Sequence, residues 1–122
     1  MSLGGGGNLL IMVSDLDVSV GFYRDVLGLK MTGGIPGEFA FFQWGGVTIA
    51  LREVDAPISK CLCEISFSAA DVRSAFEELK GKGVAFTKPL RSVTGSDSQE
   101  LLASDFTDPD GHILSISGWV KK

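Results

Sequence analysis

An α+β fold built from two tandem βαβββ modules is predicted by three observations. A short apolar strand running into an Asp-capped amphipathic helix occurs twice, with the capping residues Asp15 and Asp71 offset by 56 positions. Each helix ends at glycine, Gly28 in the first copy and Gly81 and Gly83 in the second, and strand-like segments follow. A glycine-containing turn then joins the last two strands of each copy, Gly45-Gly46 in one and Asp108-Pro109-Asp110-Gly111 in the other. The chain of 122 residues, 44% of them hydrophobic, is long enough for one compact core and short for two independent domains.

The elements follow in order. Met1 to Gly7, with four successive glycines, reads as a flexible leader or cloning remnant outside the fold. Asn8 to Val13 reads as a buried strand. Asp15 and Asp17 both offer side-chain oxygens to the free amides of the helix that follows. Leu16, Val20, Tyr23 and Leu27 then recur at helical spacing and draw one apolar stripe. A short strand is expected around Lys30 to Gly33, and Glu38 to Trp44 and Val47 to Arg52 form a hairpin rich in aromatic and branched residues. In the second copy Glu64 to Ser68 is the first strand, and Val72, Ala75, Phe76 and Leu79 form the helical stripe. Strands follow at Val84 to Phe86, Leu101 to Thr107 and His112 to Ser117. The polar run Arg91 to Glu100 between them reads as an exposed connection, with a mobile lid as the alternative.

Composition removes several functions. Eleven basic against 15 acidic residues give a net charge of −4, so the chain lacks the basic footprint of a nucleic-acid or anionic-membrane partner. The longest aliphatic run, Leu9 to Val13, is far below the roughly 20 residues of a membrane span, and a cytoplasmic protein is expected. A mean hydropathy of +0.24 is high for a small soluble chain. The surplus apolar surface suits a homodimer interface or a ligand cavity. Cys61 and Cys63 stand two apart in a strand-like stretch, a spacing that disfavours a disulfide, and they read as reduced thiols.

Duplication carries a structural consequence, because each module leaves one sheet face that it cannot bury alone. A cupped, partly open mixed sheet with helices outside is the expected result, with copy one spanning about 8–54 and copy two about 62–119. Alternation places Phe39, Phe41 and Gln43 on one face and Ala40, Phe42 and Trp44 on the other. Phe39, Phe41 and Gln43 are candidate ligand contacts, since aromatic walls suit a flat or hydrophobic small molecule. Trp119, following the last strand, is expected to close an end of the cup or to enter a dimer interface.

The segment Asp15-Leu16-Asp17-Val18-Ser19-Val20-Gly21-Phe22-Tyr23-Arg24-Asp25-Val26-Leu27-Gly28-Leu29, together with Asp105-Phe106-Thr107-Asp108-Pro109-Asp110-Gly111-His112, resembles the vicinal oxygen chelate superfamily. That superfamily contains glyoxalase I, bleomycin-resistance proteins, fosfomycin-resistance enzymes and extradiol dioxygenases. The resemblance extends from Asn8 to Trp119 and identifies a fold that hosts many chemistries.

By resemblance, a divalent metal is held by His, Gln or Glu on the first and last strands of each copy, which maps to Asn8, Ala50, Glu64 and Ser115. Among these only Glu64 is a strong donor, Asn8 and Ser115 are weak neutral oxygens, and Ala50 offers none. No metal and no other cofactor are therefore expected. His112, the single histidine, stands three residues from Ser115 on an alternating strand and is assigned to the turn, as are Asp108 and Asp110. Glu64 is a candidate catalytic base or partner for a cationic ligand, because a carboxylate facing an apolar cup is driven to take up a proton or a cation. The alternative pairs it with Asn8 as a structural remnant.

The resulting expectation is a metal-free small-molecule binding protein similar to the bleomycin-resistance branch, its ligand contacted by Asn8, Phe39, Phe41, Gln43, Ala50, Glu64, Ser115 and Trp119. A metal-dependent lyase or dioxygenase of the same superfamily, or a metal-free proton-transfer enzyme using Glu64, stands as the alternative.

Overall fold

A computed structural model of the chain describes residues 7–58 and 63–122. The leader up to Gly6, and Cys61, lie outside the described residues, while Cys63 is exposed. The chain divides into two compact units, residues 1–59 and 60–122, and each holds one repeat.

In the first unit, β1 (Leu9–Val13) leads into α1 (Leu16–Val20), which passes into a π-helical turn (Gly21–Val26). Three strands follow: β2 (Lys30–Ile35), β3 (Phe39–Trp44) and β4 (Val47–Glu53). They form one mixed sheet in the order β1-β4-β3-β2, with β1 parallel to β4 and the other pairs antiparallel. Asp15 caps α1, its carboxylate accepting from the Val18 N–H at 3.2 Å. A second cap comes from far along the chain, where Glu53 Oε1 accepts from the Leu16 N–H at 2.9 Å. Together they satisfy two of the amides that a helix start leaves open.

The predicted stripe is altered by the π turn. Leu27 N–H reaches back five residues to the Phe22 carbonyl at 2.9 Å, and the wider turn shifts the phase of the face. Beyond the wider turn Leu27 is only half-buried, whereas ahead of it Leu16, Ser19 and Tyr23 are buried at ordinary helical spacing and Val20 is half-buried. Gly28 then takes φ +77°, the left-handed conformation that ends the helix. Tyr23 packs on Phe42 of the sheet with ring centroids 6.1 Å apart. Val13, Ala40, Phe42, Ile49 and Leu51 complete this core face, and a fully buried side chain such as Phe42 contributes about 2 kcal/mol.

The second unit repeats the plan. β5 (Ile65–Ser68), α2 (Val72–Gly81), β6 (Phe86–Gly95), β7 (Gln99–Thr107) and β8 (Ile113–Lys121) form a sheet in the order β5-β8-β7-β6. β5 runs parallel to β8. Asp71 caps α2 through the Ser74 N–H at 3.1 Å and also accepts from the Ser74 hydroxyl at 3.0 Å. Val72 and Leu79 of the helix are buried, with Phe67, Leu102, Phe106, Leu114 and Ile116 of the sheet. Phe76 reaches Phe86, and Phe86 meets Phe106 edge-on at 5.5 Å.

The registers of the two units correspond. Leu10 pairs with Ala50 in the first and Ser66 with Ser115 in the second, so the offset of 56 at the first strand and 65 at the last strand describe equivalent positions. The nine additional residues do not form the expected connection. Arg91 to Glu100 lies within a long hairpin, β6 extending to Gly95 and β7 starting at Gln99. Ser96 N–H donates to the Gln99 carbonyl at 2.8 Å in the turn. β6 is an edge strand whose register breaks at three places, so neither apolar alternation nor a regular period of two marks it in the sequence. The longer β7 also lengthens β8, because Gln99 pairs with Lys121. Trp119 therefore lies inside the last strand rather than after it, opposite Leu101.

Two outcomes test this packing. A Cβ added at Gly118 meets the Ala69 carbonyl at 2.6 Å and Val72 Cβ at 2.8 Å, so Gly118→Ala is expected to destabilise by about 1–3 kcal/mol in urea unfolding. Gly46→Ala, with nothing within 4 Å, should leave the midpoint nearly unchanged. The hydrogen bond from the Ser74 N–H, followed by that from its hydroxyl, holds the Asp71 carboxyl below the usual carboxylate range. A depressed folded-state value adds stability above the unfolded-state value of about 3.9, and loses it as pH falls through the folded-state value. Asp71→Ala should accordingly lower the thermal midpoint at pH 7 and bring a much smaller loss near pH 2.

Candidate functional site

Because paired strand residues share a face, the helix-covered side of each sheet fixes what the other side presents. In the first unit the pairings Phe39↔Arg52, Phe41↔Ala50 and Gln43↔Thr48 put all six residues on the open face, with Leu10 and Met12 from β1. Phe39 and Phe41 stack with planes 5° apart and centroids at 6.2 Å. The Arg52 guanidinium stands over the Phe39 ring at 5.8 Å. Gln43 is committed to its own hairpin: its amide donates to the Gly45 carbonyl at 2.9 Å and its oxygen accepts from the Thr48 hydroxyl at 3.0 Å. Ala50 is buried between its cross-strand neighbours Leu10 and Phe41. Asn8 lies just before β1 and is exposed.

In the second unit the open face carries Ser66, Ser115, Ser117, Ala103, Asp105 and Trp119. Ser115 is buried, with Ser66 on one side and Asp105 on the other. The hydroxyls of Ser66 and Ser117 lie 3.1 Å apart. Asp105, whose side chain is only 13% exposed, is approached by Lys88 Nζ at 3.8 Å and by Arg91 at 3.6 Å. Arg91 also donates to the Ala103 carbonyl at 3.0 Å. This charged trio was not legible in the sequence, because Arg91 falls in the stretch that reads as a connection. Trp119 is 53% exposed.

Glu64 precedes β5 and is exposed, so the apolar burial on which its role as a general base depends is absent. His112 sits in the turn before β8, where its backbone N–H donates to Asp108 Oδ1 at 2.8 Å. The Asp110 N–H uses the same oxygen at 3.0 Å, and Asp108 is buried as the organiser of this turn.

The chemistry of the four positions expected to hold a metal can now be weighed. The first sheet supplies an exposed amide at Asn8 and a buried methyl at Ala50, and the second supplies an exposed carboxylate at Glu64 and a buried hydroxyl at Ser115. Only one of these is a strong donor to a first-row divalent cation, so the set does not fit the metal that the resemblance implies. Among the described residues no group of three or more His, Cys, Asp or Glu side chains is placed to hold one. No helix among the described residues is long and apolar enough to cross a membrane.

Comparison with known proteins agrees with the geometry of the two repeats. The metallothiol transferase FosB of Lysinibacillus sphaericus is 32% identical over 110 residues, covering 86% of this chain and 75% of that protein. The structure of the fosfomycin resistance protein FosX from Listeria monocytogenes, complexed with Mn(II) and sulfate, superposes with a TM-score of 0.74 at 21% identity, covering 95% of this chain and 90% of that one. Lactoylglutathione lyase from Agrobacterium tumefaciens gives 0.72 at 20% identity, covering 97% and 96%. Residues 7–116 match the model of the Glyoxalase/Bleomycin resistance protein/Dioxygenase superfamily, and the chain belongs to that superfamily, the vicinal oxygen chelate group that its helix and turn motifs resemble.

Proposed function

We propose that the protein is a small-molecule binding member of its superfamily, with the ligand on the open sheet faces and without a metal at Asn8, Ala50, Glu64 and Ser115. The observation that supports this reading is Ala50: its methyl is buried beside Leu10 and Phe41, at a position that the resemblance maps to a metal ligand. Restoring a donor there would require a different side chain, because Ala has no oxygen, nitrogen or sulfur to offer. Binding would then be driven by the aromatic surface of Phe39 and Phe41, with polar groups fixing orientation.

A second reading is favoured by one finding, the 32% identity to a metallothiol transferase. It makes the protein a metal-dependent transferase or lyase whose metal ligands lie elsewhere in the chain. Calorimetric titration of the purified, metal-stripped protein with Mn, Ni, Zn and Fe(II), alongside elemental analysis before stripping, separates the two. No stoichiometric binding at millimolar metal is expected, and one metal per chain would establish the second reading in its place.

The protein is also proposed to act as a cytoplasmic homodimer. Support comes from β1, where Leu9, Leu10 and Met12 are 48%, 47% and 44% exposed. Large apolar side chains left exposed together are costly in water and suit burial between two copies of the chain. Sedimentation at micromolar concentration is expected to give twice the chain mass, and a persistent monomer would refute this part of the reading.

A further inference from the structure

We infer that the open face of the first sheet selects planar aromatic carboxylates, the ring resting against the Phe39–Phe41 pair and the carboxylate held by Arg52. This inference rests on the open face being the ligand site, as proposed above, and adds the chemical class of the ligand.

The distribution of charge carries the argument. The chain as a whole is acidic, with a net charge of −4, yet the open face of this sheet holds two cations, Arg52 and Lys30, and no carboxylate. The acidic residues of this unit are placed elsewhere. Asp15, Asp17 and Asp25 belong to the helical segment and its cap, Glu38 to the turn before β3, and Asp55 follows β4. Glu53 points to the helix face, where it accepts from the Leu16 N–H. Arg52 makes no ion pair among the described residues, and its guanidinium stands over the Phe39 ring. An acidic protein that keeps one sheet face free of carboxylates, and leaves an arginine there without an anion, is complementary to a ligand that brings its own negative charge.

The shape of the face narrows the class further. Two phenyl rings held parallel, with planes 5° apart, present flat π surfaces that favour a planar ring over an aliphatic one. A guanidinium held over Phe39 keeps its donor fork available, and that fork matches a carboxylate in two parallel hydrogen bonds. Ala50 contributes by being small: beside Phe41, its methyl leaves the ring unobstructed by a longer neighbour.

The experiment compares three probes on the full chain: 2-naphthoate, its neutral analogue 2-naphthamide, and cyclohexanecarboxylate. Affinities are read by titration of backbone amide NMR signals, which also locates each probe. The wild type should bind 2-naphthoate about tenfold more tightly than either other probe, the effect of one charge-assisted hydrogen-bonded pair. Arg52→Gln should abolish the preference for the acid over the amide, whereas Arg24→Gln, on the helical segment, should keep it. Phe41→Leu should weaken both aromatic probes alike. Equal binding of acid and amide by the wild type, or a preference that survives Arg52→Gln, would overturn the anionic class while leaving the open face as a ligand site. If no probe shifts the signals of β3 and β4, both this inference and the binding function on which it rests are overturned. Arg52 is exposed, so its replacement leaves the core intact, and Lys30→Gln provides an independent second variant expected to reduce the acid preference in part.

Discussion

Everything in each unit depends on one geometric constraint, the alternation of side chains across a strand together with a single helix to cover the result. One face of the sheet meets α1 or α2 and becomes a core of Phe42, Ile49 and Leu51, or of Phe106, Leu114 and Ile116. The residues between them in sequence are then committed to the opposite face, with no helix of their own to bury them. Function in this fold is therefore written in the positions the core does not use. Gly118 shows how tight the covered side is, since α2 approaches so closely that the strand tolerates only a hydrogen there.

The same constraint explains which features were legible in the sequence. Helix caps at Asp15 and Asp71, the left-handed glycine at Gly28 and the grouping of Phe39, Phe41 and Gln43 on one face all arise from local chemistry or strict alternation, and each was read directly. The duplication set the two strand registers, because Leu10↔Ala50 and Ser66↔Ser115 are equivalent pairs. Three features escaped. A π turn shifts the face of a helix without any distinctive residue, so Leu27 beyond it is only half-buried where helical spacing points to burial. An edge strand with bulges loses its period, and the part of β6 from Arg91 to Gly95 reads as a connection. The length of β8 depends on its partner β7, so Trp119 could not be placed until the hairpin was known.

The candidate site was legible in part for related reasons. Residue types at the four positions expected to bind metal could be judged by donor chemistry alone, and the structure adds that Ala50 is buried and Glu64 is exposed. The interactions of Arg52 with Phe39 and of Asp105 with Arg91 and Lys88 are contacts between strands. They depend on register and on bulges that a one-dimensional pattern does not encode. Gln43 gives the converse case, since its position was read correctly while its side chain turned out to be engaged in closing its own hairpin.

The placement of the two tryptophans has a practical consequence. Trp44 ends β3 in the first unit and Trp119 lies within β8 of the second, 38% and 53% exposed respectively. Each repeat thus contains one tryptophan, and the sequence contains no other tryptophan. Replacing either one by phenylalanine leaves a chain whose emission, excited at the red edge where tyrosine does not absorb, reports on a single repeat, so the order in which the two halves of the duplication assemble can be followed without any added label.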